Sequence, residues 1–391
     1  MKLNRKFLIF TLSAITIFFI SFVFVASKPP KQFSRRFYIW NQLWTPQVLQ
    51  AIDKWRQKVE TFHILAVSYN KQLKAKRIDL DWQSLEHLKN LTFVIRINGN
   101  KLPEIQSILN EIKFLNEQNS KIKVSRLEID FDAPTSQLKY YGDWLKRLKE
   151  QSQLELGITA IPTWLESKDL EEVLNSLDYY VLQVHSVLSP EKGLFDPNLA
   201  LKWVKKYSKL SNTKFFVALP NYWYQAGLDD DNDIQYLAAE QKEVLSSQKY
   251  RDVLANPKHI AQAIRKIEEQ QFNQMQGWIW FRLPTSNDKR IFADSTINHL
   301  MEKDIDWSKQ SISLSQEPIG QTSTNYDFWV SNTTEVDLVA HTQWDVPVGC
   351  EFQHLIDGVI SSIDKIYFEY AQIIKPGQRK RIGWAKCSNF K

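Results

Sequence analysis

The sequence predicts an α/β protein. Its body is a (β/α)8 TIM barrel, followed by a small C-terminal all-β, sandwich-like domain and preceded by a hydrophobic signal or anchor helix. Three observations carry this. Between Phe37 and Glu302, short apolar runs alternate with helical periodicities, the mark of repeated βαβ units and a parallel sheet. The runs number eight over about 265 residues, which matches the barrel. After Gln310 the texture changes to Ser, Thr, Gln and Asn, and helical periodicity does not return. The runner-up is a doubly wound open sheet, which would carry a glycine-rich phosphate loop after its first strand; none follows here.

The 391 residues suffice for one large domain and a smaller one. Apolar content of 43% and charged content of 24% are ordinary for a globular chain. The net charge of +6 is spread out and forms no basic stripe with interleaved aromatics, so no nucleic-acid partner is expected. The 14 Trp, 14 Tyr and 22 Phe offer faces for sugar rings, and equally fill cores.

Taken in order, Lys2, Arg5 and Lys6 precede an apolar run from Phe7 to Ala26, which Ser27-Lys28-Pro29-Pro30 breaks. Residues 1–27 read as a signal peptide or membrane anchor, long enough to span a bilayer. Positive charge ahead of the run holds the N-terminus in the cytoplasm and sends the rest across. The expected location is the cell envelope, anchored in the inner membrane and facing the periplasm, or released there if the segment is cleaved. The lack of a Cys after the run excludes a lipid anchor. Residues 28–36 read as a linker, 37–308 as the barrel and 309–391 as linker plus β-domain.

Strands are expected at Phe37–Trp40, His63–Tyr69, Thr92–Asn98, Arg126–Asp132, Leu154–Ile161, Tyr179–His185, Phe215–Pro220 and Gly277–Leu283. Helices fill the intervals, including one near Ile234–Ser246 and one at Pro257–Gln271. In the tail, Tyr326–Asn332, Glu335–Ala340, Ile366–Phe368 and Arg381–Ala385 alternate like strands. Cys350 and Cys387 both lie there. In an exported chain such a pair reads as a disulfide, with two free buried thiols as the alternative.

The fourth run, Arg126-Leu127-Glu128-Ile129-Asp130-Phe131-Asp132-Ala133-Pro134, holds the chemistry. Side chains alternate across a strand, so Leu127, Ile129 and Phe131 form one face while Glu128, Asp130 and Asp132 form the other. Close carboxylates raise one another's pKa and are costly to bury without a partner. Barrel sites lie at the C-terminal ends of the strands. The same alternation turns Tyr38 and Trp40, Arg96 and Asn98, Gln183 and His185, and Trp278, Trp280 and Arg282 inward there, with Arg96 as partner for Glu128 or Asp130. Tyr222 and Trp223 sit in an aromatic loop at the rim.

Such a mouth suits a carbohydrate. Glycoside cleavage needs a protonated carboxylic acid and a second group that attacks or stabilises the sugar cation. Asp132, nearest the opening, is assigned the acid. Asp130 tunes it, Glu128 lies deepest, and His185 assists. Tyr38, Trp40, Arg96, Asn98, Gln183, Tyr222, Trp280 and Arg282 are assigned to substrate binding. No cofactor or metal is expected. The run Asp229-Asp230-Asp231-Asn232-Asp233 lacks the glycine and distal Glu of a helix-loop-helix calcium site and reads as a solvated loop.

At the carboxylate strand the chain resembles the chitinase-type glycoside hydrolases of family eighteen, which carry Asp-Gly-x-Asp-x-Asp-x-Glu-Tyr-Pro on their fourth strand. Aligning on the proline places Ser125, Glu128, Asp130 and Asp132 on the acidic positions, and the resemblance implies Asp132 as the acid. Here the first Asp is Ser125, the acid is Asp rather than Glu, and the sixth strand lacks the family's Tyr-Asp pair. Over most of Phe37–Leu283 the chain more closely resembles an uncharacterised bacterial family of unknown function. The marks are Tyr38-Ile39-Trp40 with Trp44-Thr45-Pro46, Glu128 to Pro134, and Ala218-Leu219-Pro220. That resemblance implies the barrel and a glycosidase-like class.

The expectation is therefore an exported or membrane-anchored glycosidase-like protein acting on an envelope or extracellular polysaccharide. Its rivals are a non-catalytic barrel that binds glycan or protein, and a metal-dependent hydrolase using Glu128, Asp130 and His185.

Overall fold

Eight parallel strands alternate with eight helices in the computed structural model, which describes residues 31–186, 190, 193–229, 231, 233–238, 249–320, 324–340, 343–362 and 364–388. The elements are β1 (Ser34–Ile39), α1 (Pro46–Trp55), β2 (Thr61–Tyr69), α2 (Trp82–Leu85), β3 (Leu91–Ile97), α3 (Ile105–Gln118), β4 (Arg126–Phe131) and α4 (Leu138–Ser152). They continue with β5 (Glu155–Ala160), α5 (Leu170–Asn175), β6 (Tyr179–Gln183), α6 (Pro197–Leu210), β7 (Lys214–Pro220), α7 (Pro257–Glu268), β8 (Met275–Phe281) and α8 (Asp294–Glu302). Each strand pairs with the next, and β8 pairs with β1, so the sheet closes into a barrel. A short strand, Ala75–Arg77, adds antiparallel to β2.

Local chemistry sets the helix ends. Pro46, Pro197 and Pro257 start α1, α6 and α7, where the missing N–H costs nothing. Asp196 and Asn256 cap α6 and α7 by accepting first-turn amides. Helix α7 buries Ile260, Ala263, Ile264 and Ile267 at helical spacing, which seats it on the barrel.

Inside the barrel, Tyr38, Val94, Tyr179, Val181, Phe216, Ala218 and Ile279 pack together, with Trp40 and Phe281 against them. This fixes which face of each strand points inward. It agrees with the alternation read for β1, β3, β4 and β6, and corrects it for β8. There Ile279 and Phe281 fill the interior, while Trp278 and Trp280 turn to the helices. Trp278 donates from its indole to Glu268 of α7 at 3.0 Å, and Trp280 is buried. The cause is that β8 is apolar on both faces. A parallel barrel buries both, so polarity gives no direction.

The helix expected near Ile234–Ser246 is a second correction. Trp223–Leu228 is the centre of a three-stranded antiparallel sheet, flanked by Ile234–Ala238 and Tyr250–Leu254. Gly227 permits it: a Cβ there would lie 2.4 Å from the Tyr236 ring. Residues 239–248 lie outside the described residues.

After Trp307–Lys309 the described residues form only strands and connections. Three small antiparallel sheets surround a core that includes Phe328, Val330, Ile366, Phe368, Ile382 and Ala385. The largest runs in the order Ser313–Pro318, Asn325–Ser331, Arg379–Cys387, Cys350–Leu355. Cys350 and Cys387 face each other on adjacent strands and are joined by a disulfide with S–S 2.07 Å.

This β region and the barrel share one compact unit that starts at Ser34. Asp337 pins the two parts together. Its Oδ2 accepts the Ala293 amide at 2.7 Å, at the start of α8, and its own amide donates to Thr296 Oγ1 at 2.7 Å. Asp337 thus caps α8 from outside the barrel. Asp337→Ala is expected to cost about 1–2 kcal/mol, as loss of a buried cap does. A lower urea midpoint with an unchanged slope would show it.

The expected anchor, residues 1–27, lies outside the described residues. Among those described, no helix is long and apolar enough to cross a membrane.

Candidate active site

The carboxylate strand β4 delivers Glu128 into the barrel interior and Asp130 and Asp132 to its mouth. Its other face is apolar and packs outward, with the Phe131 ring 5.1 Å from that of Tyr141 on α4. In register, Arg96 of β3 stands beside Asp130. Arg96 Nη1 donates to Asp130 Oδ2 at 2.6 Å and Nη2 donates to Asp132 Oδ2 at 2.9 Å, so one guanidinium holds both carboxylates. Asp130 holds its charge poorly. Burial pushes its carboxyl up to about 6, against the pull of Arg96 and with a push from Asp132. The Arg96 guanidinium is held charged, chiefly by Asp130. Asp132 is the exposed member, with 48% of its side chain accessible.

Glu128 is fully buried and well supplied with donors. The Tyr38 hydroxyl donates to Oε1 at 2.6 Å, and Thr159 Oγ1 donates to the same oxygen at 3.3 Å. The Tyr179 hydroxyl reaches Oε2 at 3.5 Å. Gly157, beside Glu128 in register, makes room for this: a Cβ on it would lie 2.2 Å from the Tyr179 ring. His63 Nδ1 lies 2.8 Å from Oε2, and Arg36 Nη1 lies 3.2 Å from His63 Nε2. Arginine can only donate, so Nε2 accepts and Nδ1 carries the proton that goes to Glu128. Burial pushes the His63 imidazole down, despite the pull of Glu128, and so favours this neutral form. The sequence reading assigned Arg96 to Glu128 or Asp130; the structure gives it to Asp130 and Asp132, while Arg36, through His63, lies behind Glu128.

A cleft of about 420 Å³ opens above the pair. Of the residues assigned from sequence, Trp40, Arg96, Asn98, Asp130, Asp132, Gln183, His185 and Tyr222 line it together. Tyr38 does not; it lies in the interior, bonded to Glu128. Trp280 faces the helices, and Arg282 is buried and ion-paired to Asp288, with its guanidinium 5.6 Å from the Tyr222 ring centre. Neither lines the cleft, which corrects their assignment to substrate contact. His185 lies 3.2 Å from the Ala218 carbonyl through Nδ1, and burial pushes its imidazole down to about 4. It is therefore neutral, with the proton on Nδ1.

His63, Arg36, Thr159 and Tyr179 were not read from the sequence. The available signal was His63 itself, the one imidazole in the apolar run Thr61–Tyr69 and on the same alternation as Thr61 and Leu65. Among the described residues no group of three or more His, Cys, Asp or Glu is disposed to hold a metal ion. In the acidic loop, Asp229 Oδ1 accepts the Asp231 and Asp233 amides at 3.1 and 2.8 Å, a turn that folds on itself; Asp230 and Asn232 lie outside the described residues.

Comparison with known proteins bears on this geometry. The model of the family described as "Domain of unknown function (DUF3142)" matches residues 88–286. A comparison with curated proteins gives no match. Among solved structures, the chain is similar to the spore cortex-lytic enzyme SleL of Bacillus cereus, with TM-score 0.51 and 11% identity over 72% of this chain and 76% of that one. SleL of Bacillus megaterium QM B1551 gives TM-score 0.50 and 12% identity over 66% and 72%. The GH18 chitinase ChiB of Flavobacterium johnsoniae gives TM-score 0.46 and 11% identity over 70% and 94%. At these identities the likeness to the two SleL enzymes is one of fold.

Proposed function

The chain belongs to the family described as a domain of unknown function, DUF3142, matched over 199 of its 391 residues, and we propose that it is a glycosidase-like barrel that acts on an envelope or extracellular polysaccharide. The observation that carries this is the pair at the mouth: Asp130, buried and with its carboxyl pushed up to about 6, shares Arg96 with the exposed Asp132. Glycoside cleavage needs a carboxyl that still holds a proton near neutral pH and a second group beside it. Asp132 faces the cleft and delivers the proton to the glycosidic oxygen. Asp130, behind it, keeps a proton available. Glu128 anchors the floor and does not meet substrate. Activity then falls as pH rises through about 6 and Asp130 loses its proton.

Two further observations fit this reading. The two SleL proteins of like fold named above are called spore cortex-lytic enzymes. The Cys350–Cys387 disulfide suits an oxidising compartment, as does the basic-then-apolar start of the chain, which would anchor the barrel outside the cytoplasm or export it.

A second reading is a barrel that binds glycan without cleaving it. It draws on the hydrogen bond from Arg96 to Asp132, which engages the assigned acid. The deciding experiment incubates the full chain with bacterial envelope polysaccharides and counts new reducing ends. Wild type is expected to produce them, and Asp132→Asn to lose roughly 10²-fold or more, as loss of a general acid does. Binding by both proteins with turnover by neither establishes the second reading instead.

A further inference from the structure

The hydrogen-bonding groups beside the carboxylate pair are unevenly committed. The side-chain nitrogens of Arg96, Asn98 and Gln183 already donate within the protein. Arg96 gives Nη1 to Asp130, Nη2 to Asp132 and Nε to Asn98 Oδ1 at 3.4 Å. Asn98 Nδ2 donates to the Tyr69 carbonyl at 2.8 Å and to Ser68 Oγ at 3.2 Å, and Gln183 Nε2 donates to the His185 carbonyl at 3.0 Å. The acceptors are open. Asp130 Oδ1 is buried with no hydrogen-bond partner. Asp132 uses Oδ2 toward Arg96 and is half exposed. His185 spends its Nδ1 proton on Ala218, which leaves Nε2 as an acceptor.

Charge points the same way. Two carboxylates and one guanidinium line the cleft, and no lysine or second arginine does so among the described residues. With both carboxyls ionised the excess is negative. A substrate carboxylate, sulfate or phosphate would find no uncommitted cation here. A buried acceptor without a donor is costly, and an ammonium brings three donors with a matching charge.

We propose that the cleft takes a glycan bearing free amino groups, with an ammonium of a hexosamine unit lying against the exposed Asp132, beside the buried Asp130. This rests on the glycan-active reading above and names the substrate class for it. Bulk charge does not produce such a preference, since the whole chain carries +6 and repels a polycation.

The test is calorimetric titration of the full chain near neutral pH with three oligosaccharides of equal length: a glucosamine oligomer with free amines, its N-acetylated counterpart, and an oligouronate. The amine oligomer is expected to bind about 10-fold or more tightly than the acetylated one, a gain typical of one charge-assisted contact, with the uronate weakest. Asp132→Asn is expected to erase most of that preference while still binding the acetylated oligomer, which shows the variant is folded. Equal or tighter binding of the acetylated or acidic oligomer overturns the proposal, as does a preference that survives Asp132→Asn. Asp132-dependent cleavage of a neutral glycan without amine preference would overturn this inference and leave the glycosidase reading standing. Binding of none of the three, with no cleavage of any polysaccharide, overturns both.

Discussion

Replacing Glu128 with alanine is expected to lower stability by about 3–5 kcal/mol, the cost of removing one partner from a buried charged network. The chain of donors has one direction. Arg36 donates to His63, His63 donates to Glu128, and Tyr38 donates to the same carboxylate. Without Glu128, a buried imidazole N–H and a buried phenol lose their acceptor, and Arg36 loses a nearby negative charge. Glu128→Gln keeps the shape but not the polarity. Its amide N–H can meet the His63 N–H head-on, and His63 cannot switch tautomer without facing Arg36 donor to donor. That variant is expected to lose about 1–3 kcal/mol, the penalty of one unsatisfied buried donor. Urea unfolding at neutral pH measures both. Stability of Glu128→Ala within about 1 kcal/mol of wild type would mean that the network is not rigidly coupled.

Asp130→Asn is expected to do the reverse at neutral pH and stabilise the fold. The Asp130 carboxyl sits at about 6 in the folded chain, chiefly through burial, against about 3.9 in an unfolded one. The folded state therefore binds the proton more tightly, and wild-type stability falls as pH rises from about 4 to about 6. Roughly two pKa units correspond to about 2–3 kcal/mol. Asparagine carries no charge to desolvate, and Arg96 keeps Asp132 as its partner. The variant should thus exceed wild type by up to about 2–3 kcal/mol at pH 8 and converge with it near pH 4, where wild-type Asp130 is protonated. Denaturation curves at the two pH values decide this; a variant weaker than wild type at pH 8 would show that the Arg96–Asp130 bond outweighs burial. Because Asp130 belongs to the proposed acid pair, the gain should come with lost turnover, the trade expected where a site holds a strained charge.

Much of this was legible in the sequence because polarity alternates where the chemistry lies. On β4 the carboxylates and the apolar residues take opposite faces, and on β3 Arg96 and Asn98 stand among Phe93, Ile95 and Ile97. One reading of each strand was physically tolerable, and the structure brings Arg96, Asn98, Asp130 and Asp132 to one cleft. The eighth strand was different. Trp278, Ile279, Trp280 and Phe281 are all apolar, either face could be buried, and the inward face was misassigned. Arg282 is occupied by Asp288, a contact that depends on the fold of the following loop. His63 was passed over because it stands alone in its run, and Arg36 because residues 28–36 read as a linker, whereas the first strand begins at Ser34. What makes them a network is the closure of β2 against β1 and the arrival of Glu128 two strands away, and no local pattern carries that. The segment after β7 was taken for a helix because Ile234, Leu237 and Ala238 fall at helical spacing, while its pairing with Trp223–Leu228 is a tertiary fact.

The strand order of the C-terminal region has a consequence for how the chain is made. In the largest sheet, the strand latest in sequence, Arg379–Cys387, lies between Asn325–Ser331 and Cys350–Leu355. Until the ribosome has released that strand, its two neighbours have unpaired edges and an open seam between them. The barrel sheet closes once β8 has paired with β1, so it can form first, while the β region remains a sticky, half-built sheet. Synthesis that stalls before Arg379 should therefore yield a closed barrel with an exposed seam, a species prone to pair with its own kind and a natural target for chaperones and proteases.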